Sequence, residues 1–135
     1  MDANWAFLTQ PVVRLLDPHN VPSLRTLIIG GEEVSSAACK IWTGKVEVVN
    51  AYGLTKCCVF CTAYFDVQAF TSWLTGKAVA SVSWVVDPEN YNHLAPLGLT
   101  GELLVEGPIL ARDYLNDFEK TKAAFIDNPM GPVAT

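Results

Sequence analysis

Leu24-Arg25-Thr26-Leu27-Ile28-Ile29, closed by Gly30-Gly31, and Val46 to Val49, leading into Asn50-Ala51-Tyr52-Gly53-Leu54-Thr55, decide the fold. Each is a short apolar run bounded by turn residues, the pattern of a buried strand. Between them Ser35 or Ser36 caps a predicted helix that runs through Ala37, Ala38 and Ile41 to about Thr43, where Gly44 stops it. Strand, helix and strand within so few residues is the spacing of a crossover, so the two strands are expected to lie parallel.

Working outward, Asn4 to Leu16 mixes aromatic and aliphatic residues and ends at the turn signal Asp17-Pro18. Val12, Leu15 and Leu16 are the expected apolar face of a helix there. Downstream, the apolar run Cys57 to Phe65 reads as a further buried strand. Then the character changes. Val82 to Val86, ending at Asp87-Pro88, and Gly101 to Val105, ending at Gly107-Pro108, read as strands joined by a polar loop. Glu119 to Ile126 reads as a short helix stopped before Pro129. The expected fold class is α/β, a parallel-sheet part followed by a β-rich part.

Composition narrows the function classes. Half of the 135 residues are hydrophobic and 17% are charged, which excludes a disordered chain. The mean hydropathy is +0.25. The longest apolar stretches, Cys57 to Phe65 and Ala78 to Val86, fall short of the roughly 20 residues a spanning helix needs. Met1-Asp2-Ala3-Asn4 opens no secretory signal, so no membrane partner and a cytoplasmic, reducing setting are expected. The apolar excess then points to surface that meets more protein. A formal net charge of −5 with no Lys/Arg cluster gives no footprint for nucleic acid.

Several constellations suggest chemistry. Cys57-Cys58-x-x-Cys61 suggests zinc, yet a structural site needs four ligands and no second Cys or His pair is present; buried thiols are the plainer reading. Gly44-Lys45 and Gly76-Lys77 lack the preceding glycine and the following Ser or Thr of a phosphate loop. His19 and His93 stand alone in turn-like settings. Adjacent Glu32-Glu33 reads as an exposed helix entry. No catalytic set can be assembled. The segment Asn50 to Thr55 differs, because open α/β sheets bind ligands at the carboxyl ends of their strands. Glycine permits close backbone approach, threonine offers a hydroxyl, asparagine an amide, and tyrosine a flat face for a base. A strand-to-loop turn with a packed tyrosine explains the same residues equally well.

Asn50-Ala51-Tyr52-Gly53-Leu54-Thr55-Lys56 resembles the asparagine-alanine-tyrosine-glycine-proline-threonine-glutamate motif of nonribosomal peptide synthetase adenylation domains, which are adenylate-forming enzymes. Gly101-Glu102-Leu103-Leu104-Val105-Glu106-Gly107, followed by Leu110-Ala111-Arg112-Asp113-Tyr114-Leu115, resembles a second family motif. Val21 to Leu27, Gly30-Gly31-Glu32, Trp84 to Pro88 and Asn116 to Thr121 fit in the same register, and the wording is most similar to fungal members. The resemblance runs from residue 4 to 129, divided near 4–66 and 67–129, with 130–135 a divergent tail.

That resemblance implies a partial large subdomain and a reaction in which an amino-acid carboxylate attacks the α-phosphorus of ATP. Aminoacyl-AMP and pyrophosphate result, and the aminoacyl group passes to a carrier-protein phosphopantetheine thiol. It implies ATP and Mg2+ as the family's requirements, which these residues alone are not expected to bind productively. Gly30, Gly31, Glu32, Asn50, Ala51, Tyr52, Gly53 and Thr55 would line the nucleotide site, Tyr52 stacking on adenine and Thr55 meeting phosphate. Phe7, Ile28, Gly30, Ala51, Val59 and Phe60 would line an apolar amino-acid pocket. The sequence departs from the motif at Lys56, which stands where an acid for Mg2+ is expected, so no metal ligand is assigned. At an effective dielectric of about 20, two unit charges about 4 Å apart interact by about 4 kcal/mol, and reversing one sign works against a divalent ion. Leu54 replaces proline and Asp113 replaces glycine. The phosphate loop, the ribose-binding aspartate and the catalytic lysine of the family lie outside these residues. The 135 residues alone are therefore expected to be inactive in pyrophosphate exchange and prone to aggregate. A nucleotide- or amino-acid-binding module, or a split-domain partner of the remainder of a synthetase, are the alternatives.

Overall fold

The computed structural model describes residues 2–65 and 74–126. The chain divides into two compact units, one of Met1–Leu54 with Val59–Val79 and one of Thr55–Cys58 with Ala80–Thr135. The first unit extends past the expected limit at 66 because it takes in a strand at Lys77–Ala78. The expected tail at 130–135 lies outside the described residues.

The first unit carries a five-stranded sheet in the order β1 (Trp5–Leu8), β2 (Thr26–Gly30), β3 (Glu47–Tyr52), β4 (Thr62–Tyr64) and β5 (Lys77–Ala78). β1, β2 and β3 run parallel, and β4 and β5 are added antiparallel. Between β2 and β3 lies α2 (Ser36–Trp42), whose N-cap Ser35 accepts a hydrogen bond from the Ala38 N–H at 3.3 Å. The side-chain alternation of strands sorts the core into two layers. Leu27, Ile29 and Val48 join Val13, Val34, Cys39 and Trp42 on one face. Ile28, Val49, Ala51 and Ala63 form the other, with Phe7, Phe60 and Val79 packed against them.

α1 (Gln10–Leu15) corrects the expected helical face. Val13 is buried, whereas Val12 is 42% and Leu15 85% exposed. With six residues and an extended Leu16, the helix is too short to carry a stripe repeated over two turns. The Gln10 side chain accepts from the Ser35 N–H, and Arg14 donates to the Ser35 hydroxyl at 3.1 Å, tying α1 to the start of α2.

The run Cys57 to Phe65 is not one strand. Only Thr62–Tyr64 is, and Val59 has φ of 68°, a left-handed conformation that ends any extended run. Cys57 instead forms a bridge to Leu110 within the second unit. The cysteines also differ from the all-buried expectation, since Cys58 is exposed while Cys39, Cys57 and Cys61 are buried. Burial pushes the Cys39 thiol up to about 11, so it stays protonated at neutral pH.

The second unit carries a three-stranded antiparallel sheet in the order β7 (Asn90–Leu94), β6 (Val82–Asp87), β8 (Glu102–Glu106). β6 and β8 match the expected strands. β7 occupies what reads as a polar loop: Asn90-Tyr91-Asn92-His93-Leu94 is a poor strand former, brought back along β6 by a turn in which Asp87 Oδ1 accepts from the Glu89 N–H at 2.9 Å. α3 (Phe118–Ala124) starts one residue early, capped by Asp117, which accepts from the Lys120 N–H at 3.0 Å. Among the described residues no helix is long and apolar enough to cross a membrane.

Candidate functional site at the strand ends

Parallel pairing of β2 with β3 sets Ile29 beside Asn50 and Gly30 beside Ala51, so both strands reach their carboxyl ends together. Gly30 is needed there: a Cβ would lie 2.5 Å from the Ala51 carbonyl oxygen and 3.3 Å from the Phe7 ring. Gly31 turns the chain off the sheet with φ of 86°, and Glu32 follows on the surface.

Consecutive residues of β3 project to opposite faces, which gives the site two walls. On one, Ala51 is buried in the layer with Ile28. Phe7, in register with Ile28 on β1, stacks with Phe60 at 6.2 Å between centroids and 13° between planes. Five of the six residues expected to line the amino-acid pocket are thus gathered. Val59 is not gathered with them; its side chain is 63% exposed on the loop.

On the other wall stand Asn50 and Tyr52. Asn50 is buried and its Nδ2 donates to the Leu74 carbonyl at 2.9 Å, which commits part of its amide to the fold. Tyr52 is 36% exposed. Its carbonyl accepts from the Cys61 N–H at 2.9 Å and lies 3.6 Å from the Cys61 thiol, so the backbone at Tyr52 is held by the residue that leads into β4. Gly53 passes under the next loop, where an added Cβ would sit 2.4 Å from both Phe60 Cα and the Val59 carbonyl oxygen.

Thr55 and Lys56 belong to the second unit. Thr55 is exposed. The Lys56 carbonyl accepts from the Ala111 N–H and the Ile109 carbonyl from the Cys58 N–H, each at 2.8 Å. The Lys56 ammonium lies 5.9 Å from the centroid of Phe125, within cation–π range, and Phe125 meets Tyr114 edge-on at 5.9 Å. An ammonium has no lone pair for a metal, so Mg2+ does not fit at this residue. Among the described residues no three His, Cys, Asp or Glu side chains are grouped to hold a metal.

Sequence reasoning missed Cys61 and Thr62 as neighbours of Tyr52. Their placement depends on β4 running antiparallel to β3, and no local pattern announces that register.

Comparison with known proteins identifies the family. A family described as AMP-binding enzyme matches residues 5–115. Nonribosomal peptide synthetase TES of Alternaria alternata is 50% identical over 130 residues, covering 96% of this chain and 2% of that protein. N-benzoylphenylalaninol synthetase apmA of Penicillium brevicompactum is 49% identical over 130 residues, covering 96% of this chain and 6% of that protein. The chain therefore spans a small part of the length of these relatives. The solved structure of PA1221, an NRPS protein containing adenylation and PCP domains, superimposes with a TM-score of 0.78 at 27% identity, over 92% of this chain and 27% of that one. VinN shares the fold, with a TM-score of 0.78 at 20% identity over 92% of this chain and 34% of that chain. On the match that covers residues 5–115, the chain belongs to the AMP-binding enzyme family and has the fold and sequence character of a nonribosomal peptide synthetase adenylation domain.

Proposed function

We propose that these residues form the base-facing and side-chain-facing walls of a site that binds an aminoacyl-adenylate, in a protein that activates an amino acid for transfer to a carrier-protein phosphopantetheine thiol. One observation carries the reading. Ala51 and Tyr52 are adjacent at a strand end but face opposite ways, Ala51 into an apolar layer with Phe7 and Phe60, Tyr52 outward with its ring partly exposed. A ligand with a flat heteroaromatic part and an apolar part matches that division.

In the activation step a carboxylate oxygen forms a bond to the α-phosphorus of ATP, and the bond from that phosphorus to the bridging oxygen breaks, releasing pyrophosphate. The contribution of this chain's residues is orientation. Tyr52 offers a stacking face for the base, Gly30 and Ala51 let the ligand approach the strand ends, and Phe7 with Phe60 favours an apolar amino-acid side chain. Mg2+ is part of the family's chemistry, but the ammonium at Lys56 is unsuited to hold it, and no step is assigned to a metal here.

Titration with AMP tests this. The wild-type chain is expected to show saturable binding. Tyr52→Ala weakens it about fivefold or more, because base–aromatic stacking contributes about 1–3 kcal/mol. Adding millimolar Mg2+ leaves the curve in place. Equal affinity for AMP in the wild type and Tyr52→Ala contradicts the assignment of the base wall.

A further inference from the structure

We propose that Thr62 is a further ligand-contacting residue, whose hydroxyl meets the polar edge of a heteroaromatic base stacked on Tyr52. The inference rests on the reading above, that the strand ends hold an adenylate.

Thr62 is 3% exposed, and its Oγ1 has no hydrogen-bond partner among the described residues. A buried hydroxyl left unpaired is a net cost to folding. Valine would fill nearly the same volume without that cost and suits a strand at least as well. The hydroxyl therefore calls for an account that packing alone does not supply.

Register supplies one. In the antiparallel β3–β4 pair Thr62 lies directly opposite Tyr52, and opposed residues share a face with Cβ atoms about 4.5–5.5 Å apart. Asn50, two residues before Tyr52, is on that face too. On the other flank Thr62 pairs with Ala78, whose methyl offers no hydrogen bond. Across the pair stands Tyr52, 36% exposed, whose backbone carbonyl accepts from the Cys61 N–H at 2.9 Å. A hydroxyl both donates and accepts, which matches the alternating donors and acceptors on a purine edge.

The test compares wild type, Thr62→Val, Thr62→Ser and Tyr52→Ala in AMP titrations, with thermal melts recorded without ligand. Thr62→Val is expected to bind AMP about five- to tenfold more weakly, the effect of one lost hydrogen bond, while melting at or above the wild-type temperature. Thr62→Ser, which keeps the hydroxyl, is expected to stay within about twofold of wild type. Thr62→Val binding as well as wild type, with Tyr52→Ala weakened, overturns this inference and leaves the base wall standing. No saturable AMP binding by the wild type overturns both. Should Thr62→Val fail to fold, the Thr62 methyl resonance of the unmodified chain decides: a saturable shift with AMP is expected, and an unmoved resonance at saturation overturns the inference.

Discussion

Gly53→Ala is expected to lower AMP affinity by more than the five- to tenfold that one lost hydrogen bond explains, and to cost about 1–3 kcal/mol of stability. The atoms an added methyl would strike, Phe60 Cα and the Val59 carbonyl oxygen, are both 2.4 Å away and both backbone, so no rotamer change relieves the contact. Either the segment after Tyr52 or the loop at Val59 has to move. Moving the loop carries Phe60 away from Phe7, whose ring it now stacks at 6.2 Å, and moving the segment displaces Tyr52. Either response disturbs one wall of the site. Denaturant melts and AMP titrations on the same preparation check this, and a variant with wild-type affinity and stability contradicts the close passage.

Trp42→Ala is expected to be the more damaging change to the fold, at about 3–5 kcal/mol. Trp42 has no exposed surface and sits at the end of α2 within the layer that includes Val13, Leu27, Ile29 and Val48. Its removal leaves a cavity beneath the helix that connects β2 to β3, and so loosens the pairing that brings Gly30 beside Ala51. Its indole N–H has no partner among the described residues. Trp42→Phe removes that unsatisfied donor while keeping much of the volume, so it is expected to cost clearly less than alanine. Urea denaturation of both variants checks the order. Equal losses would mean that volume in this layer does not govern stability.

The βαβ crossover was legible because each of its parts is stated locally. Thr26 to Ile29 and Val46 to Val49 are rich in β-branched residues, with Leu27, Ile28, Ile29, Val48 and Val49 buried, Ser35 is a hydroxyl cap, and Gly44 ends the helix with φ of 80°. Tyr52 and Gly53 were legible for the same reason, as a short pattern at a predicted strand end. What stayed hidden depends on distant partners. β7 is polar and exists because β6 offers it an edge across the Asp87 turn. Val13 rather than Val12 is buried because of where one helical turn lands on the sheet. Thr62 joins Tyr52 only through strand register, and the run Cys57 to Phe65 reads as continuous until Val59 takes a positive φ.

The measurement that bears most directly on the central claim is a heteronuclear NMR titration of the chain with a non-hydrolysable aminoacyl-adenylate analogue bearing an apolar side chain. Saturable shifts are expected at Tyr52 and Gly53 on one wall and at Phe7, Ala51 and Phe60 on the other, following a single binding curve. Shifts confined to one wall, or none at all at saturating analogue, would contradict the account.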